Sequence, residues 1–271
     1  MRSSALSQSP VTAPGLRVVL KLGGNVVLDP AQVAVVAAEL RALVGRGARV
    51  TIVHGGGPQL DKALAGLGEK AEKVDGLRVT SPAAAAVVHQ VMDGIGAELA
   101  DRLRAAGMPV KHVAASPTVL QARLKRAAKG DLGRVGTVER FATSALPLAG
   151  VAVVTPVGFD PDGPLNVNAD EGAAAVAAAL RADWLVLGTD VAAVRGEAGE
   201  SLGHLDAKGA AALVASGVAK GGMIPKLAAA TDALRHGVRN VLIVKVQPGT
   251  LVGVLLEGRP EGTRVSPMVS A

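Results

Sequence analysis

Apolar residues along this chain follow two rhythms. Short runs rich in Val, Leu and Ile recur at Val18 to Leu22, Arg49 to Val53, Val110 to Ala114, Val151 to Pro156, Trp184 to Leu187 and Val238 to Val244. Such runs predict strands buried inside a sheet. Between them the apolar spacing lengthens to three or four residues. Val33, Val36, Leu40 and Leu43 predict a helix over Ala31 to Gly45, opened by Asp29-Pro30. Further helices are expected over Gln59 to about Leu67, Ser81-Pro82 to about Ala106, Glu171 to Arg181, Ala207 to Ser216 and Leu227 to His236. Strand and helix alternate, the rhythm of an α/β protein with a mainly parallel sheet. Val74 to Thr80 reads as an extended or hairpin segment. Residues up to Gly136 read as a β-rich excursion with basic loops around Lys125 to Lys129, and Asp160 to Gly163 as a turn. No internal repeat is visible. A functional division falls near Arg181, where a second run of strands begins.

Composition narrows the possible functions. The 271 residues are 49% hydrophobic and 19% charged, ample for a packed core in one large domain or two small ones. Aromatics are 1% with no Tyr, so Ala, Val and Leu must fill the core, and the aromatic faces of base-stacking nucleic-acid platforms are missing. The net charge of +6 is scattered without a basic run, which favours anionic small substrates over nucleic acid. With no Cys there are no disulfides or Cys-ligated metals. The His residues show no H-x-x-x-H pairing, so no zinc site is expected. Met1 to Gly15 is rich in Ser, Ala and Pro and lacks a signal peptide's apolar core; a disordered tail is expected. No apolar run is long enough to span a bilayer, and the expectation is a soluble cytoplasmic protein away from membranes.

Candidate chemistry starts at Lys21-Leu22-Gly23-Gly24. The glycines free the backbone for positive φ and close approach to a ligand, and Lys21 sits at a strand's carboxyl end, where α/β sheets bind ligands. Taken alone, the stretch equally fits an ordinary turn beside a surface lysine. Gly55-Gly56-Gly57 and Gly221-Gly222 also lie at strand ends or helix starts, where backbone N–H groups bind anionic oxygens. No standard nucleotide motif fits: G-K-[ST] is absent after Gly57, and Gly94-Ile95-Gly96 lies inside a predicted helix. Lys21 and Lys226, each beside a glycine cluster, suit the charge of a phosphoryl group in flight; the ordinary alternative for each is a solvated side chain. Asn166, Asn168 and Asp170 alternate. An extended segment would aim all three at one pocket, and the alternative is an Asx turn with Asp170 capping the next helix. Arg78 could grip a carboxylate through two donors or lie exposed on a strand. His54, followed by glycines and without an evident Asp, reads as a structural histidine bonded to its own loop.

In order, K-L-G-G at Lys21 to Gly24, V-H-G-G-G-P-Q at Val53 to Gln59, V-D-G-L-R-V-T at Val74 to Thr80 and G-R-V-G-T-V at Gly133 to Val138 are followed by four more motifs. These are N-V-N-A-D at Asn166 to Asp170, G-T-D-V at Gly188 to Val191, G-G-M-I-P-K at Gly221 to Lys226 and E-G-T-R-V at Glu261 to Val265. The set resembles the amino-acid kinase family, and within it the N-acetylglutamate kinases, over about Arg17 to Val265. The resemblance implies a three-layer α/β/α sandwich. It also implies transfer of a phosphoryl group from ATP, with Mg²⁺ held mainly by ATP and water, to the side-chain carboxylate of N-acetyl-L-glutamate early in arginine biosynthesis. By resemblance, Lys21 and Lys226 stabilise the moving phosphoryl group, Gly24 and Gly56 donate backbone N–H bonds to it, and Asp170 orients the lysines. Gly56, Gly57, Arg78 and Asn166 hold the acetylated substrate. Thr189, Asp190, Lys220, Gly222 and Met223 hold nucleotide. Residues 16–181 would form an amino-acid-binding, dimer-forming lobe and residues 182–271 a nucleotide-binding lobe. The chain departs from the family pattern at Ala115-Ser116-Pro117, Ala97-Glu98 and Ala193, which puts the subunit interface and the nucleotide-side loop in question. A sister kinase acting on carrier-linked aminoadipate or glutamate, or a non-catalytic ligand sensor, would share much of the pattern. Arginine-inhibited members carry an extra N-terminal helix that builds a hexamer. Met1 to Gly15 contains Pro10 and Pro14 and no amphipathic pattern, so an arginine-insensitive homodimer is expected.

Overall fold

The computed structural model describes residues 13, 15–68, 72–74, 76–126 and 130–267. The expected disordered tail therefore lies, apart from Ala13 and Gly15, outside the described residues, as do residues 127–129 of the basic loop. The first half runs β1 (Arg17–Leu22), α1 (Gly24–Leu28), α2 (Pro30–Val44), β2 (Arg49–His54), α3 (Gly57–Ala65), β3 (Lys73–Val74), β4 (Leu77–Arg78), α4 (Pro82–Ala105), β5 (Val110–Val113), β6 (Leu120–Leu124), β7 (Val135–Phe141), β8 (Val151–Val154), β9 (Val157–Asp160) and β10 (Gly163–Val167). It continues with α5 (Ala169–Leu180), β11 (Trp184–Gly188), β12 (Val194–Arg195), β13 (Ser201–Leu202), β14 (His204–Asp206), α6 (Ala207–Ala215), α7 (Met223–Arg235), β15 (Asn240–Val244), α8 (Thr250–Leu255) and β16 (Thr263–Ser266).

Eight strands form the central sheet in the order β14-β16-β15-β11-β1-β2-β8-β5. All neighbours are parallel except β15 and β16. The expected α/β/α sandwich is present, and β1 lies near its middle. Alternate residues of each central strand serve opposite cores. Val18, Leu20 and Leu22 pack with α2, α3 and α4, whereas Val19 packs with α5 and α7. The β-rich excursion is a small closed sheet of β10-β7-β6-β9. The Val74-to-Thr80 segment contains an antiparallel β3–β4 hairpin, with Asp75 outside the described residues.

Several local expectations are corrected. Gly23 is extended (φ −71, ψ 157), without positive φ, and Gly24 opens the unpredicted helix α1. Gly24 is needed for its size: a Cβ there would lie 2.9 Å from Pro58 Cδ and 3.0 Å from the Gly57 nitrogen. Helix α7 starts at Met223 and not at Leu227, because Pro225 is tolerated in a first turn. Helix α8 was also not anticipated. It has no side-chain cap of its own; its first turn is held from α2, where the buried Glu39 carboxylate accepts from Leu251 N at 2.7 Å and Val252 N at 3.2 Å.

Candidate active site

Lys21 shares the parity of Val19 and so faces the α5 and α7 side of the sheet. Asp170, in the first turn of α5, and Lys226, in the first turn of α7, meet it there. Lys21 Nζ lies 3.1 Å from Asp170 Oδ1. Lys226 Nζ donates to the same oxygen at 2.8 Å and to the Gly188 carbonyl at 3.4 Å. The three residues are 9%, 6% and 5% exposed. Two positive charges against one negative leave one positive charge unmatched. Burial pushes the Asp170 carboxyl up, but the Lys21 and Lys226 ammonium groups outweigh it and hold the group below its ordinary value. Burial, with repulsion from Lys21, lowers Lys226 against the opposing pull of Asp170. Such buried charges are poor sources of stability. Their unmatched positive field suits an anion in the adjoining cavity.

Asn166, Asn168 and Asp170 all border one cavity, as an extended segment would place them, but the segment is not extended throughout and Asp170 is not the helix cap. The extended segment ends at Val167, and Asn168 is the helix cap, accepting from Asp170 N at 2.9 Å and Glu171 N at 3.2 Å. Capping by Asn168 leaves the Asp170 carboxylate free to face the lysines.

Around the triad lies a cavity of about 650 Å³. The residues anticipated for catalysis, Lys21, Gly24, Gly56, Asp170 and Lys226, all line it, as do Gly57, Arg78 and Asn166. Thr189 and Asp190, just after β11, and Lys220, Gly222 and Met223, at the start of α7, line it as well. Asp29, Ser81, Asn168 and Asp206 cap α2, α4, α5 and α6 with their side chains. Three other helices that begin at the cavity, α1, α3 and α7, have glycine at the cap and no side-chain acceptor. The first turns of α1 and α3 have no side-chain acceptor, whereas at the start of α7 the Met223 and Ile224 N–H groups turn back to the Lys220 and Gly221 carbonyls at 3.1 and 3.3 Å; helix N-termini favour anions. Arg78 pairs with Asp61 through Nη2, while its buried Nη1 has no partner among the described residues.

Residues 16–245 match the amino acid kinase family. The chain belongs to the amino acid kinase family. It is 40% identical over 268 residues to the acetylglutamate kinase of Anaeromyxobacter dehalogenans (strain 2CP-C), covering 91% of this chain and 98% of that protein. It is likewise 40% identical to the acetylglutamate kinase of Rubrobacter xylanophilus, covering 89% and 94%. Among solved structures, the N-acetylglutamate synthase of Neisseria gonorrhoeae, complexed with coenzyme A and N-acetyl-glutamate, aligns with a TM-score of 0.81 at 23% identity. That alignment covers 95% of this chain and 61% of the synthase, and it shows a shared fold.

For this amino acid kinase, His54 stands apart from the cavity. It is fully buried, its Nδ1 lies 3.4 Å from the Gly55 carbonyl, and burial lowers its pKa to about 4. Gly96 explains the glycine inside α4, since a Cβ there would come within 2.8 Å of His54 Nε2 and 2.6 Å of His112 Nε2. Sequence reasoning missed the Gly188 carbonyl as a Lys226 partner and Met92 beneath Gly56, where a Gly56 Cβ would lie 2.6 Å from Met92 Sδ. A glycine closing an apolar strand was the available signal for Gly188. Met92 looked like any apolar residue of a helix.

Proposed function

We propose that the chain is an acetylglutamate kinase, transferring the γ-phosphoryl group of ATP to the side-chain carboxylate of N-acetyl-L-glutamate in arginine biosynthesis. The observation that carries this reading is the pair of buried lysines on one Asp170 oxygen, facing a cavity at which three helices start on glycine without a side-chain cap. Close similarity to acetylglutamate kinases over most of the chain supports it. A carboxylate oxygen of the substrate forms a bond to the γ-phosphorus. The bond from that phosphorus to the β,γ-bridging oxygen breaks, and its electron pair leaves with ADP. An ionised carboxylate is already nucleophilic, so no general base is required. Positioning and charge neutralisation are the protein's share of the work.

In this reading Lys21 and Lys226 neutralise the moving phosphoryl group, Gly24 and Gly56 donate N–H bonds to it, and Asp170 orients both lysines. Arg78, through its unpaired Nη1, takes the α-carboxylate, while Asn166, Gly56 and Gly57 complete the substrate side. Thr189, Asp190, Lys220, Gly222 and Met223 border the nucleotide. The two sets divide between residues 16–181 and 182–271, in keeping with two functional lobes. Among the described residues no group of three or more acidic or His side chains could hold a metal ion. In this reading Mg²⁺ is carried by ATP and water. No helix among the described residues is long and apolar enough to cross a membrane; in this reading the enzyme works in the cytoplasm.

Purified chain, ATP-Mg²⁺ and N-acetyl-L-glutamate, with hydroxylamine trapping the acyl phosphate, tests the reading. Hydroxamate from the free amino acid is the expected result. Hydroxamate only from a carrier-linked substrate, or ligand binding without turnover, would overturn it. Light scattering on the same preparation checks the proposed homodimer, which should have twice the 27.0 kDa chain mass.

A further inference from the structure

Thr80 is fully buried and is not among the residues lining the cavity, yet it holds two that are. Its Oγ1 donates to the Arg78 carbonyl at 3.0 Å and accepts from Asn166 Nδ2 at 3.0 Å. A hydroxyl has one proton. The Arg78 carbonyl can only accept, so that proton is committed to it. Asn166 must then turn its amide NH₂ toward Thr80, which leaves Oδ1 on the other side. Asn166 is half-buried on the cavity wall, and its Oδ1 accepts no hydrogen bond from the described residues. The backbone of Thr80 is pinned separately. Its N–H donates to the Leu132 carbonyl at 3.0 Å, and its carbonyl accepts from Arg134 N at 2.7 Å. The hydroxyl is therefore not needed to hold the backbone; its partners are Arg78 and Asn166.

We propose that Thr80 is a positioning residue that fixes Asn166 as a hydrogen-bond acceptor, so that the cavity selects a substrate bearing an uncharged amide N–H near the carboxylate taken by Arg78. The inference rests on the kinase reading above and deepens it. An outward Oδ1 accepts from an N–H and rejects an ester or ether oxygen in the same place. An ammonium would also donate, but it would meet the unmatched positive charge of the lysine pair.

The test compares wild type, Thr80→Val and Thr80→Ser on N-acetyl-L-glutamate and on 2-acetoxyglutarate, in which oxygen replaces the amide N–H. Valine keeps the shape and removes the hydroxyl; serine keeps the hydroxyl. In Thr80→Val the KM for N-acetyl-L-glutamate should rise about tenfold, and the preference for amide over ester should narrow by about tenfold. The KM for ATP should stay unchanged, and Thr80→Ser should resemble wild type. Wild-type preference in Thr80→Val, or equal impairment in Thr80→Ser, overturns the proposal. Absence of turnover in wild type defeats the kinase reading, and a ligand-free measurement then decides Thr80. The Asn166 side-chain NH₂ signal, assigned by its loss in Asn166→Asp, should exchange slowly in wild type and quickly in Thr80→Val. Fast exchange in the wild type overturns the proposal without any variant.

Discussion

Asp170 Oδ1 is shared by two ammonium groups, and the members of this triad are not equivalent. Removing either lysine leaves one cation against one anion, a matched buried pair. Removing Asp170 leaves two buried cations facing each other, the costly case. The lysines can therefore be separated experimentally from the stability of the fold. His54 behaves in the opposite way, as a group whose titration reports on folding alone. Its pKa falls from 6.5 to about 4 on burial. Between those values the unfolded chain binds a proton that the folded chain does not, so stability rises with pH across that window. The loss on acidifying from pH 6.5 to 4 should be about 3 kcal/mol from this residue. His112, lowered chiefly by its own burial, adds in the same direction. Denaturant melts of wild type and His54→Gln across this range check the point, and the variant should show the shallower slope. An unchanged slope would show that His54 is not held neutral by burial.

The elements most legible in the sequence were those whose signal is local. β1, β2, β8 and β11 declared themselves by short runs rich in Val, Leu and Ile, and α2 and α4 by apolar spacing behind Asp29-Pro30 and Ser81-Pro82. The hidden elements depend on distant partners. α1 has five residues opening at a glycine, and its place is set by the close approach of Pro58 and Gly57. α8 has six residues, and its first turn is satisfied by Glu39 from α2. No local pattern could announce either. Glu39→Gln should lower stability by about 2–3 kcal/mol, because a neutral acceptor replaces a charged one beneath three buried or half-buried N–H groups, those of Gly249, Leu251 and Val252. Chemical denaturation reads the loss. Activity per folded molecule should be unchanged, since Glu39 is not among the residues lining the cavity.

At the scale of the molecule, the sheet order brings the two ends of the chain together. β1 pairs with β11, and α7 lies over the same face as α5, so Lys21 and Lys226 converge across more than two hundred intervening residues. The sequence showed both lysines beside glycines, and the ordered motifs implied one site. The single oxygen that they share, the Asn168 cap that frees it, and the Gly188 carbonyl under Lys226 needed the packed structure. The central claim is that these two lysines serve phosphoryl transfer and not the fold. Steady-state hydroxamate formation by Lys21→Ala and Lys226→Ala, with each variant's melting temperature recorded, tests it most directly. Turnover at least about 100-fold below wild type in both, with melting close to wild type, is the predicted result; wild-type turnover in the two folded variants would contradict it.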